Sequence, residues 1–201
     1  MTIHDSGREV KDGRHARSQR TRAAVAEAML DCLQAGLLRP SAAEVAERAG
    51  VSKRAVFRHF DNMEALLQEI ATLQTARVIA QLPRVATDGP LDVRIASLVR
   101  NSAERNEIIA PVRRAALLME PFSEVIQHGH KEVRDQVRRQ VRVVFADELA
   151  ALEEADRRAR VATLRALLSF HYWDELRRRE RLSSGAARRL LEDAIRTLLQ
   201  P

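Results

Sequence analysis

The chain is 201 residues long, 45 % hydrophobic and 31 % charged. That suits one large or two small folded domains with a real core and excludes an intrinsically disordered chain. Aromatic residues are only 3 % while Ala, Leu, Val, Arg and Glu dominate, a mix that favours helices and gives sheets little to use, so the expected class is all-α. One cysteine, Cys32, excludes an intramolecular disulfide and a cysteine zinc site; among apolar neighbours it reads as a small buried helical residue. No apolar run is long enough to span a bilayer, and the polar segment Met1 to Asp12 lacks a signal-peptide core, so no membrane contact and a cytoplasmic location are expected.

The net charge of +6 invites a nucleic-acid reading, yet its distribution argues for care. Residues 1–70 hold 11 Lys/Arg and 10 Asp/Glu, a net of +1, so the excess lies in the remainder. Local order is more telling. No acid stands between Asp12 and Glu27, a gap holding Arg14, His15, Arg17, Arg20 and Arg22. None stands between Glu47 and Asp61 either, where Arg48, Lys53, Arg54, Arg58 and His59 lie.

In chain order, residues 1–17 carry no periodicity and read as a disordered arm. Helix is expected from about Ser18, with Val25, Met29, Leu33 and Leu37 on one stripe, ending near Gly36 because Pro40 forbids continuation. Ser41 and Glu44 form a capping box for a short helix that Gly50 ends. Ser52 caps the next helix, Lys53 to Phe60, and Asp61 or Asn62 caps a fourth, carrying Leu66, Leu67 and Ile70 and continuing to Leu82-Pro83. Leu91 to Asn106 reads as helix, and Pro111 and Pro121 each suit a first helical turn. Ile126, Val133, Val137, Val141, Val144 and Phe145 mark one long helix. Val161, Leu164, Leu168 and Leu176 mark another. Leu182-Ser183-Ser184-Gly185 separates it from a last helix with Leu190, Leu191, Ala194, Ile195 and Leu198.

Residues 42–61 meet the shape demands of a helix-turn-helix. Val45 and Ala49 face a core, Ala46 is small where two helices cross, Gly50 makes the turn, and Val51 and Val56 pin the second helix. That arrangement presents the first turn of the second helix to a DNA major groove. The stretch from Ser41 to Leu67, with an arginine-rich helix before it, Ala-Gly-Val-Ser at the turn and His-Phe closing the short helix, resembles the N-terminal domain of TetR-family transcriptional regulators. The resemblance covers residues 18–70. Beyond them only the all-helical plan and length are similar, with Trp173-Asp-Glu-Leu-Arg-Arg before Leu182-Ser183 looking like the last two helices of some members.

Site roles follow from chemistry. Lys53 and Arg54 start the recognition helix and are expected to reach base edges, with Ser52 and Ala55 as lesser base contacts. Arg17, Arg20, Arg22, Ser41, Phe57, Arg58 and His59 are expected at phosphates, and Arg14 in a minor groove. The family usually carries Tyr at the position of Phe57 and often Lys at that of Met63; both departures remove a backbone contact.

The resemblance implies three domains: the arm 1–17, the DNA-binding domain 18–70, and an effector-binding and dimerisation domain 71–201. It also implies a homodimer through the last two helices, an unidentified small-molecule effector, and a near-palindromic duplex operator bound most often as a repressor. Asn101, Met119, Phe122, His128, Phe145 and Trp173 are candidate pocket residues. No cofactor and no metal are expected: His128-Gly129-His130 lacks helical ligand spacing, and no catalytic motif suggests an enzyme. His171 and Glu175 read as helix-interface packing. Arg177-Arg178-Arg179 with Arg181, and Arg157-Arg158 with Arg160, read as solvated faces. Two other readings compete, a helical small-molecule-binding module with weakened DNA binding and a basic helical interaction protein.

Overall fold

The computed structural model describes residues 6–200, with side chains from His15 onward except those of Arg77, Ile79 and Ala80. Every regular element among them is helical. The chain divides into two units. The first gathers the residues up to Gln74 with Pro111–Leu118; the second gathers Thr75–Ala110 with the residues from Met119 on.

In the first unit, helix α1 spans Ser6–Gln34 and buries Val25, Ala26, Met29, Cys32 and Leu33, each at most 3 % exposed. The sequence places its start near Ser18, whereas the structure begins it at Ser6. No proline interrupts the stretch between, and its Arg, Glu, Lys and Ala residues accept helical geometry; Gly7 and Gly13 weaken the local signal without forbidding helix. The expected arm lies outside the described residues at positions 1–5, as does the side chain of Arg14. Leu37, expected on the buried stripe, is 41 % exposed. The reason is the helix end. Gly36, at φ +91°, donates to the Leu33 carbonyl at 3.1 Å, and Leu37 donates to that of Cys32 at 3.0 Å, which turns the chain off the stripe.

Helix α2 (Ala42–Arg48) starts at the expected capping box. The Ser41 N–H donates to Glu44 Oε2 at 2.7 Å, and the Glu44 N–H donates to Ser41 Oγ at 3.2 Å. Gly50, at φ +65°, ends it with the same pair of bonds, its N–H to Glu47 and that of Val51 to Ala46. Helix α3 (Lys53–His59) is capped by Ser52 Oγ, which accepts from the Ala55 N–H at 3.2 Å. Helix α4 (Met63–Gln81) is capped by Asn62 rather than Asp61, the Ala65 N–H donating to Asn62 Oδ1 at 2.8 Å. Leu66, Leu67 and Ile70 are buried as expected.

Helix α5 runs Leu91–Met119 without a break, passing through Pro111. The expectation of a new helix at Pro111 therefore fails. Proline removes one backbone donor there, but Ala110, Val112, Ala115 and Ala116 are all buried, and the packing of good helix formers on both sides outweighs one lost bond. Pro121 does sit at the start of a 3-10 turn, Glu120–Phe122.

The second unit is built on helices α6 (Glu124–Val144), α7 (Ala146–Ala150), α8 (Glu154–Leu167), α9 (Phe170–Asp174) and α10 (Ser184–Leu199), with a π-helical turn at Glu175–Arg179. α8 is central, packing on α6, α7, α9 and α10. The core joins Ile95, Leu98 and Val99 of α5 to Val137, Val141, Val144, Phe145, Val161, Leu164, Leu168, Trp173, Leu191 and Ile195. One long helix from Val161 to Leu176 is expected from the stripe; the structure breaks it at Leu168. Ser169 Oγ caps α9 through the Tyr172 N–H, and the freed Leu168 carbonyl accepts from Ser102 Oγ at 2.9 Å and Arg105 Nη2 at 3.2 Å. The sequence signal was present in Ser169, an N-cap residue inside an apolar stripe.

Candidate nucleic-acid interface

Helix α3 is placed by its neighbours, packing on both α1 and α2. Its inner face is Ala55 and Val56, at 8 % and 1 % exposure, with Phe60 following at 3 %. The outer face carries Lys53, Arg54, Phe57 and Arg58, all exposed. Helical spacing sets Lys53 in a row with Phe57, and Arg54 in a row with Arg58. Lys53, Arg54 and Arg58 make no ion pair among the described residues, so their charge is uncompensated locally. Ser52 is exposed but already spends its hydroxyl oxygen on the cap. Ser41 is likewise exposed at the start of α2, and Arg17 and Arg20 are exposed on α1.

Three expected contacts are placed differently. Ala55 faces inward with the core. Arg22, half-buried, is turned toward α3 and α4. Its Nε donates to Glu69 Oε1 at 2.9 Å, Nη2 donates to Glu69 Oε2, and Nη1 donates to the His59 carbonyl at 2.6 Å. Its guanidinium carbon stands 4.4 Å from the Phe60 ring centroid. One arginine on α1 thereby ties the last residue of α3 and the middle of α4 together. Spacing along the chain carries no sign of this, because Glu69 is 47 residues away.

His59 is the third. Its Nε2 is buried with no hydrogen-bond partner among the described residues. Burial, then the charges of Arg58 and Arg22, hold its pKa below the ordinary imidazole value, so the ring is neutral near pH 7. A neutral, inward Nε2 is poorly suited to a phosphate.

In the second unit the six candidate pocket residues do not converge. Phe145 and Trp173 belong to the core, at 0 % and 2 % exposure. Asn101 is buried and donates through Nδ2 to the Pro83 carbonyl at 2.7 Å. Met119 is partly buried at the end of α5, and Phe122 stands 88 % exposed. His128 is exposed, with Nε2 3.4 Å from Glu132, whereas His130 is buried with Nδ1 2.8 Å from Glu120. Among the described residues no group of three or more His, Cys, Asp and Glu is placed to hold a metal ion, and no helix is long and apolar enough to cross a membrane.

A cleft of about 320 Å³ does open in this unit, lined by Gln81, Ala103, Glu104, Glu107, Ile108, Ser184 and Arg188. None of the six candidates is among them. The basic runs also prove partly structural: Arg177 Nε donates to Glu107 Oε1 at 2.6 Å, and Arg157 donates to the Leu149 and Leu152 carbonyls. Arg94, 7 % exposed, donates to Glu148 and to the Val144 carbonyl.

The helix-turn-helix geometry coincides with a sequence match. Residues 33–70 match the family of bacterial regulatory proteins named for TetR. Over these residues the chain is similar to the TetR family. The TetR-family match thus takes in the end of α1, all of α2 and α3, and the part of α4 that carries Leu66, Leu67 and Ile70. No curated protein matches the chain in sequence. Two solved structures share the fold along most of the length. A transcriptional regulator from Rhodococcus sp. Rha1 is 20 % identical with a TM-score of 0.67, covering 91 % of this chain and 96 % of that one. A presumed transcriptional regulator from Pseudomonas aeruginosa PAO1 is 21 % identical with a TM-score of 0.64, covering 89 % of each. The all-α plan, a TetR-like N-terminal domain followed by a larger helical part, is therefore the fold of this chain.

Proposed function

We propose that the protein is a transcriptional regulator that binds a near-palindromic operator as a dimer and lets go of it in response to a small molecule. The observation that carries the reading is helix α3: anchored inside by Ala55, Val56 and Phe60, it turns Lys53, Arg54, Phe57 and Arg58 outward with no carboxylate to neutralise them. Arg54 in the first turn reaches a base edge, and a bidentate Arg–guanine pair contributes about 1–3 kcal/mol of discrimination. Arg17, Arg20, Ser41 and Arg58 bind phosphates and set the register. Phe57 has no hydroxyl for a phosphate; its exposed ring suits the methyl group of a thymine.

Dimerisation runs through the last two helices expected from the sequence, the first of which is divided between α8 and α9 and the second of which is α10. On α8 the exposed residues Ala155, Ala159, Ala162 and Ala166 fall on one small-residue stripe, and on α10 Leu190 is exposed between the partly exposed Ala186 and Ala194. Small side chains let helices from two copies approach closely. The two copies of α3 would then lie about 34–36 Å apart, one DNA turn.

Selection of genomic fragments by the purified protein tests the reading. The expected result is enrichment of a sequence with two related half-sites about one turn apart. Recovery of unrelated fragments in proportion to input refutes it. Sedimentation at micromolar concentration is expected to give a dimer, and a monomer there removes the two-half-site arrangement.

A further inference from the structure

We propose that the cleft of the second unit binds a small monocarboxylate with an apolar body, its carboxylate held by Arg188. The proposal rests on the reading that this unit takes an effector, and it names the class of molecule and the residue that selects it.

The cleft, about 320 Å³, is at the small end of the range for small-molecule sites, about 300–1,000 Å³. Its walls come from the last residue of α4, the middle of α5 and the first turns of α10. Two carboxylates line it besides Arg188, and each has an arginine partner. Glu104 accepts from Arg100 Nε at 2.9 Å. Glu107 accepts from Arg177 Nε at 2.6 Å and from the Trp173 indole N–H at 3.2 Å. Arg188 has no hydrogen bond or ion pair among the described residues. The uncompensated charge on the wall is therefore a guanidinium, partly buried and one helical turn from Ser184.

That pattern selects an anion. A cationic ligand finds each carboxylate already paired with an arginine through Oε1 and meets Arg188 as a like charge. A carboxylate offers two oxygens to the guanidinium fork, a geometry that also gives specificity. The Ser184 hydroxyl is a second donor on the same helix face. Ala103 and Ile108 supply apolar wall for the rest of the molecule. A phosphate monoester carries more charge and more acceptor oxygens than one guanidinium and one hydroxyl satisfy, so a monocarboxylate is the better match.

The chain's one tryptophan is a built-in reporter, because its indole N–H rests on Glu107, a wall residue. Purified full-length protein is titrated with hexanoate and phenylacetate, and with hexanol and hexylamine of similar size, while Trp173 emission is followed. The expected result is saturation by both carboxylates, with hexanol and hexylamine weaker by about tenfold or more, as loss of a charge-assisted hydrogen bond implies. Arg188→Gln weakens the carboxylates by about the same factor, and Arg188→Lys, which keeps the charge, by less. Hexylamine binding as tightly as hexanoate, equal binding by Arg188→Gln and the parent, or no carboxylate saturation into the millimolar range would each overturn the proposal.

Retention of a selected DNA fragment is measured in the same samples. Carboxylate binding through Arg188 with unchanged DNA retention keeps the site and removes the ligand response from the proposed function. Specific DNA binding without carboxylate binding removes the site and leaves the regulator reading standing.

Discussion

The two units are held by different kinds of contact. In the first, each short helix is defined by residues within a few positions of its own ends: Ser41 with Glu44, Gly50, Ser52 with Ala55, Asn62 with Ala65. In the second, several key polar contacts span 50 residues or more. Arg94 meets Glu148, Ser102 meets the Leu168 carbonyl, and Trp173 and Arg177 meet Glu107. Local rules therefore make the first unit readable from its sequence, while the second depends on pairings that only the folded chain brings together. The Arg22 cluster is the exception that tests this contrast, a long-range pairing inside the locally defined unit.

The largest effect is expected where the long-range dependence is deepest. Arg94→Met leaves the Glu148 carboxylate and the Val144 carbonyl without their donor. Breaking a buried pair from one side costs about 3–5 kcal/mol, to be read from urea unfolding. A loss below 1 kcal/mol would dissolve the contrast between the units.

Arg22→Gln is expected to cost less, about 2 kcal/mol, because its side chain is 39 % exposed and water replaces part of what is lost. It is also expected to weaken binding to the specific operator more than to random DNA, since Arg22 holds α3 in the position that base reading needs. An equal loss on both at unchanged stability would instead make it a phosphate contact.

The smallest effect is a pH dependence. His59 has a folded pKa held below its ordinary value near 6.5. The unfolded chain therefore takes up the proton first, and stability from this residue is full above the ordinary value and falls as pH drops toward the folded one. Glu44, Asp135 and Glu148 also have lowered values, held down by hydrogen bonds, but carboxylates titrate below this window. His59→Gln is thus expected to flatten the decline in stability between about pH 7 and pH 5. An unchanged slope contradicts the neutral ring with its buried Nε2.

Much of the fold was legible, and the exceptions are instructive. Helices α2 to α4 follow from caps and breakers, and the all-α class from composition. The run of α5 through Pro111 was not readable, because a proline's local preference says nothing of the buried alanines that outweigh it. The break at Leu168 was written in Ser169 but hidden by the continuing apolar stripe. The cleft was missed for a related reason. Sequence reasoning looked for aromatic walls and chose Phe145 and Trp173, which the core absorbs, and Phe122, which faces solvent. Its lining comes from no aromatic residue but from side chains such as Glu104, Ile108 and Ser184, drawn from positions as far apart as Gln81 and Arg188. On α3, the motif dictated that Lys53 and Arg54 face outward. It did not reveal that His59 buries its Nε2 or that Arg22 of α1 pairs with Glu69.

The most direct test of the central claim, that α3 reads DNA sequence, is the ratio of affinities for the selected operator and for random duplex, measured at one fixed salt concentration for the parent and for Arg54→Ala. The account predicts that the ratio falls by about tenfold or more, with little change in binding to random duplex. An equal loss on both, leaving the ratio unchanged, would make Arg54 a phosphate contact and contradict the claim.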